Sequence, residues 1–311
     1  MSKRAGLWFF GLCFALAASA QSDAWRSLIE QADVLYQQGW YDQAAAAAQK
    51  AVEAAEREQG PVHPDVATSL NLLALAQRAK GDYAAAEKTH LRALAILEKF
   101  LGPEHHSVAI AIGNLAELYQ AQGRYAEAER AFRRALGNVE KVLGPHHPNV
   151  ATWVNSLADL YYAQGRFNEA QPLYERALSI REKALGPNNP AVGASLNNLA
   201  ALYRARGDYD TAEKLYARAL EIAVLRLGEG HPAVAVALEN LAELHGAQGE
   251  FAEAELLYRR AIAILEAALG PEHPDLAAPL ETLSKLYRLT GRLGESRQLA
   301  DRAAAIRARR R

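Results

Sequence analysis

Apolar and polar positions alternate along this chain with the period of a helix that buries one face. Between residues 107 and 148, Val108, Ile112, Leu115, Leu118 and Tyr119 recur at spacings of three and four and predict a first helix. Gly123 then predicts its end, because glycine takes the left-handed conformation of a helix C-cap without a Cβ clash. A second helix follows, with Tyr125, Ala128, Phe132, Ala135, Leu136 and Val139 on its buried face. The alanines leave room for close approach of a neighbour. Gly144 should cap this helix, Pro145 cannot continue it, and Pro148 suits the first turn of the next.

The same pattern recurs. Leu101-Gly102, Leu143-Gly144, Leu185-Gly186, Leu227-Gly228 and Leu269-Gly270 are spaced by 42 residues, with Gln59-Gly60 one period earlier. A second series keeps step at Gly39, Gly81, Gly123, Gly165, Gly207, Gly249 and Gly291. Two glycines per period mean two helices per period. A helix pair has more apolar surface than it can bury alone, so neighbours must stack into a continuous core. The expected fold is all-α, an α-solenoid (right-handed superhelix) of about seven helix-turn-helix repeats, near 24–57, 66–100, 107–142, 149–184, 191–226, 233–268 and 275–308. The first is atypical. The last is degenerate, with Leu293 and Ser296 replacing the aromatic and the alanine of the other second helices, as suits a terminal cap.

These residues carry a family resemblance. Leu115-Ala116-x-x-Tyr119 followed by Ala128, Phe132 and Ala135, and Leu199-Ala200-x-x-Tyr203 followed by Ala212, Tyr216 and Ala219, resemble the tetratricopeptide signature. The usual unit has about 34 residues. The extra length here lies in a longer second helix and a Leu-Gly-Pro-x-His-Pro connection, which is similar to the repeats of kinesin light chains and their bacterial relatives. The likeness spans residues 24–308 and implies a binding protein whose first helices line a concave groove. The start of the chain departs from kinesin light chain.

That start has Lys3 and Arg4 before an apolar run from Leu7 to Ala17, then Ala18, Ser19 and Ala20. It reads as a cleavable signal peptide, residues 1–20, with cleavage after Ala20 and a periplasmic or secreted product. The run is shorter than the roughly 20 residues of a spanning helix. A lipid-attachment cysteine is the alternative, but Leu12 directly precedes Cys13, where a small residue is expected. Processing would remove the one cysteine and two positive charges, taking the net charge from −1 to −3. The rest, residues 21–311, could then form no disulfide, so packing must stabilise it. The near-neutral balance argues against a nucleic-acid partner and the pattern against membrane insertion after cleavage. Arg307, Arg309, Arg310 and Arg311 form a small basic tail that also suits a helix C-terminus.

Catalytic and metal motifs do not emerge. His63, His105, His147, His231 and His273 occupy one place in successive repeats, with Asn189 in the same place, so they are spread along the stack rather than gathered. Gly228-Glu229-Gly230-His231-Pro232-Ala233 fits a phosphate-loop pattern only formally, because no strand precedes it. Walker, zincin and nucleophile-elbow motifs are absent. No enzyme, cofactor or metal is expected.

The candidate site is the first-helix stripe turned away from the second helices. At one place on it stand Asn71, Asn155 and Asn197, and at the next Asn114, Asn198 and Asn240. Asparagine is a mediocre helix former, whereas a carboxamide can both donate to and accept from a peptide backbone. The kinesin-light-chain resemblance implies that such asparagines hold ligand backbone. The alternative is that they bond a helix carbonyl or the neighbouring repeat. Glu117, Asp159, Glu243 and Arg204 lie one turn further along and would select among ligands, Arg204 by pairing with a ligand carboxylate. The expected function is a scaffold for other proteins or peptides. A self-assembling structural protein, stacked end to end as a homo-oligomer, and an enzyme accessory subunit are the alternatives.

Overall fold

The computed structural model describes residues 23–308; the expected signal peptide and Arg309, Arg310 and Arg311 lie outside the described residues. Helices follow one another in pairs: α1 (Asp23–Gln37) and α2 (Tyr41–Gln59), α3 (Pro64–Lys80) and α4 (Tyr83–Leu101), α5 (His106–Ala121) and α6 (Tyr125–Leu143). Next come α7 (Pro148–Ala163) and α8 (Phe167–Leu185), then α9 (Pro190–Ala205) and α10 (Tyr209–Leu227). The last pairs are α11 (Pro232–Gln248) with α12 (Phe251–Leu269), and α13 (Ala277–Leu289) with α14 (Leu293–Ala308), α13 being preceded by a 3-10 turn at Pro274–Leu276. No strand occurs among the described residues, so the fold is all-α and built of helical repeats. Two compact units divide the chain: α1 to α7, ending at Gln164, and α8 to α14, beginning at Gly165.

The periodic histidines start the first helices. His63, His105, His147 and His231 are N-caps whose Nδ1 accepts from the backbone N–H two residues on, at 3.2, 3.1, 3.1 and 3.1 Å. His273 does the same ahead of the 3-10 turn at 3.3 Å, and the Asn189 side-chain oxygen takes the role at 2.9 Å. Each satisfies one of the orphan N–H groups of a helix start, which explains why asparagine can stand in for histidine.

The two glycine series end helices differently. Gly81, with φ 85° and ψ 6°, is the expected left-handed cap. Gly144 caps its helix in another conformation: its φ of 80° and ψ of 157° fall in a region open essentially to glycine alone. Its N–H still closes on Glu140 O at 2.9 Å, and the extended ψ turns the chain so that His147 N–H reaches Gly144 O at 3.3 Å. The turn and the next N-cap are therefore one device.

Burial follows from the stacking. The second helix α6 buries one face, Ala128, Phe132, Ala135, Leu136 and Val139. Tyr125, expected there too, is 38% exposed because it sits at the first position of the helix, on the rim. The first helix α5 packs against α6, α4 and α3, and so buries Ala109, Ala111 and Ala116 as well as Val108, Ile112, Leu115 and Leu118. On the outer side, arginines bridge successive second helices at one repeated place: Arg92 to Glu56 and Arg134 to Glu98 in the first unit, Arg218 to Glu182 (2.7 Å) and Arg302 to Glu266 (2.6 Å) in the second. Such exposed pairs contribute about 0–1 kcal/mol each, so they register the repeats more than they hold them together. In the last pair, Ser296 takes the alanine's place and its hydroxyl is matched by Ser284 Oγ at 3.0 Å.

Candidate functional site: the wall of first helices

First helices neighbour one another within each unit, α1 beside α3 and α3 beside α5 in the first, α9 beside α11 in the second, and no pair of second helices comes equally close. The first helices therefore form the inner wall of each unit. The candidate asparagines lie on this wall, but in two different settings.

At the place of Asn71, Asn155 and Asn197 the side chain turns into the packing. Asn71 Oδ1 is 3.3 Å from Nδ1 of His90, on the paired second helix α4. Asn155 is only 5% exposed and donates from Nδ2 to Asp159 Oδ2 at 2.9 Å. Asn197 is half-buried, and its side-chain oxygen is buried without a hydrogen-bond partner among the described residues. For Asn71, the expectation that this place faces away from the second helix is corrected by the contact with His90. One residue further on, Asn114, Asn198 and Asn240 are all partly exposed. Helical geometry separates the two places by about 100° around the axis, which is enough to put one in the seam and the other on the wall.

The charges expected to meet a ligand meet each other. Arg78 donates from its guanidinium to Glu117 Oε2 at 2.8 Å, and Arg204 to Glu243 Oε2 at 2.8 Å. Both pairs join one first helix to the next, with the arginine 39 residues before the glutamate. Arg204 is therefore already matched within the chain. Burial alone would lower the Arg78 pKa, but Glu117 and a hydrogen bond with Tyr36 outweigh it and the guanidinium is held firmly charged. The Tyr258 hydroxyl, behind the Arg204 and Glu243 pair, is pushed up by burial and then by Glu243 and Glu239, and stays protonated. The two arginine–glutamate pairs leave the wall neutral at these two points.

Two side chains departed from the expected pattern. His90 stands where Phe132, Tyr174, Tyr216 and Tyr258 stand in other second helices, and it is fully buried. Arg181 stands where Leu97, Val139 and Leu265 stand; it is buried and donates to Ser195 Oγ at 2.6 Å. Aligning the chain on its own period reveals both substitutions, but it does not say which groups receive them. Among the described residues no group of three or more His, Cys, Asp or Glu side chains could hold a metal ion, and no helix is long and apolar enough to cross a membrane.

A family model described as "Tetratricopeptide repeat" matches residues 24–99, 78–141, 107–183, 151–223, 191–267 and 234–309. No curated protein sequence matches the chain. Among solved structures, BtubC (BKLC) from P. vanneervenii is 28% identical, covering 74% of this chain and 91% of its own at a TM-score of 0.59. A Podosopora anserina putative kinesin light chain with nearly identical TPR-like repeats is 29% identical, covering 67% and 98% at a TM-score of 0.55. The Rap protein complexed with Competence and Sporulation Factor covers 92% and 77% at a TM-score of 0.61, but at 17% identity it is a likeness of fold alone.

Proposed function

The chain belongs to the tetratricopeptide repeat family, a scaffold for protein interaction, and we propose that its second unit holds an extended segment of a partner protein along the inner wall. The carrying observation is that Asn198 and Asn240 stand partly exposed at one place on the neighbouring first helices α9 and α11. Packed helices lie about 8–10 Å apart, and an extended chain rises about 3.3 Å per residue, so successive asparagines match every third peptide unit. Each carboxamide can donate to one backbone C=O and accept from one N–H, which holds the backbone with little regard for sequence. Because Arg204 is matched by Glu243, the wall asks for no charged ligand group at that point. The role is non-catalytic. The Rap conjugation gene regulator of the plasmid pLS20, a protein of this fold, is in complex with the Phr* peptide, which supports a peptide as the ligand class here.

The proposal also places the protein outside the cytoplasm, on the strength of the basic, apolar and small-residue order of residues 1–20. The first residue of the exported chain should then be Gln21, read by mass spectrometry. To test the wall, peptides selected on the purified chain from a random display library are titrated against it and against an Asn198→Ala, Asn240→Ala variant of unchanged helical content. Affinity should fall at least about tenfold, since each lost backbone hydrogen bond contributes about 0.5–1.5 kcal/mol. Unchanged affinity for every selected peptide would remove the wall as the site.

A further inference from the structure

The two ends of the chain carry the two halves of an interior repeat junction. Within the chain, an arginine late in one first helix pairs with a glutamate 39 residues on, in the next first helix: Arg78 with Glu117 and Arg204 with Glu243. Arg288 occupies the arginine's place in α13, and among the described residues no first helix follows it. Asp33 occupies the glutamate's place in α1, and among the described residues no repeat precedes it. Among the described residues neither side chain has an ion-pair or hydrogen-bond partner. The charges left over at the two ends are opposite in sign and in the register of the interior pairs.

An apolar pair matches in the same register. Val34 is 52% exposed, whereas Leu118, Leu160, Leu202 and Leu244, at its place in later repeats, are fully buried. In the interior, Leu244 is covered from the preceding repeat by a cluster that includes Ala212, Tyr216 and Tyr209. The residue at Tyr209's place in the last repeat is Leu293, 65% exposed. A third pair fits as well. Arg124 bonds Glu87 at 2.6 Å and Arg292 bonds Glu255 at 2.5 Å across repeats; at the chain ends these places hold Trp40 and Arg297, an exposed ring opposite an exposed cation.

We infer that the α13 and α14 face of one molecule receives the α1 face of a second copy, continuing the repeat register so that Arg288 meets Asp33, Leu293 meets Val34 and Arg297 meets Trp40. The contact is heterologous, head to tail, so each added copy leaves a fresh end for the next. It uses neither Asn198 nor Asn240 and stands whether or not the inner wall binds peptide.

The test is sedimentation velocity on the full chain and on two charge reversals, Arg288→Asp and Asp33→Arg, at low salt and between about 1 µM and 1 mM, the range of weak interfaces. The parent should grow in steps of one chain mass. Each variant alone meets like charge at the junction and should associate at least about tenfold more weakly. Mixing the two variants restores opposite charges at every junction and should restore growth, a result that general stickiness or a symmetric dimer does not produce. Circular dichroism confirms that neither reversal unfolds the chain. A parent that stays a single chain throughout overturns the inference. Variants that associate like the parent, or a mixture that fails to recover, overturn it equally.

Discussion

The six-membered ring of Trp153 occupies the space a side chain on Gly113 would need: a Cβ built there lies 2.3 Å from Cζ3 and 2.4 Å from Cη2 of the indole. Both residues sit on first helices, Gly113 in α5 and Trp153 in α7, and Trp153 is almost completely buried. Gly113 holds the place of Asn71 and Asn197. Those asparagines are each followed, one repeat on, by an alanine at Trp153's place, Ala111 and Ala237. Where α7 brings an indole, α5 gives up its side chain.

Gly113→Ala should therefore destabilise the chain by about 1–3 kcal/mol, despite alanine's better helix propensity, because a buried indole cannot yield by ångströms. Trp153→Ala should cost about 3–5 kcal/mol through the cavity it leaves. Combining Gly113→Asn with Trp153→Ala copies the arrangement at Asn71 and Ala111, and urea unfolding of the double variant should show it more stable than the summed single changes. Strict additivity would mean that the two sites do not touch.

His90 makes stability depend on acidity. Burial, and then the nearby Arg78, push its pKa down to about 3, so it stays neutral in the fold. The unfolded chain takes up a proton near 6.5 and thus binds more protons between about 3 and 6.5. Its share of stability is present above that window and is lost as pH falls through it, by on the order of 4 kcal/mol at the bottom. His90→Phe, which copies Phe132, should unfold at higher urea than the parent at pH 4.5 and close to it at pH 8. An equal difference at both pH values would rule out the histidine as the cause.

The histidine N-caps should behave as acceptors and nothing more. His147→Asn copies Asn189 and should leave the urea midpoint within a few tenths of a kcal/mol of the parent, whereas His147→Ala should lose about 0.5–2 kcal/mol. If asparagine and alanine proved equally costly, the ring would be needed for something other than the bond to Asn149 N–H at 3.1 Å.

Arg204 and Glu243 should be coupled in stability. A double-mutant cycle with both replaced by alanine should return about 0.2–1 kcal/mol, the range of partly exposed pairs, and the coupling should shrink at 1 M salt. An interaction energy of zero at low salt would leave Arg204 available to a ligand after all.

The repeat period, the helix boundaries and the apolar faces were legible in the order of residues, because they depend on local rules. A 3.6-residue period places Leu115 and Leu118 on one side, glycine at positive φ ends a helix, and proline opens one. The histidine series was visible as a series, but its purpose was not. That purpose is a backbone bond, and it needs the turn at Gly144 to be known. The asparagine ladder was visible too, yet Asn71 reaches the paired second helix instead of the wall, because two adjacent helix positions look alike in sequence and differ by about 100° in space.

By itself, then, the sequence of this protein determined two helices every 42 residues and the faces they bury, since those follow from interactions within a few residues of chain. Only the tertiary structure decided which polar groups are matched between helices: Arg204 by Glu243 and Asn71 by His90. Pairing across helices depends on distances and directions that the packing of separate turns sets. A list of residue types carries neither.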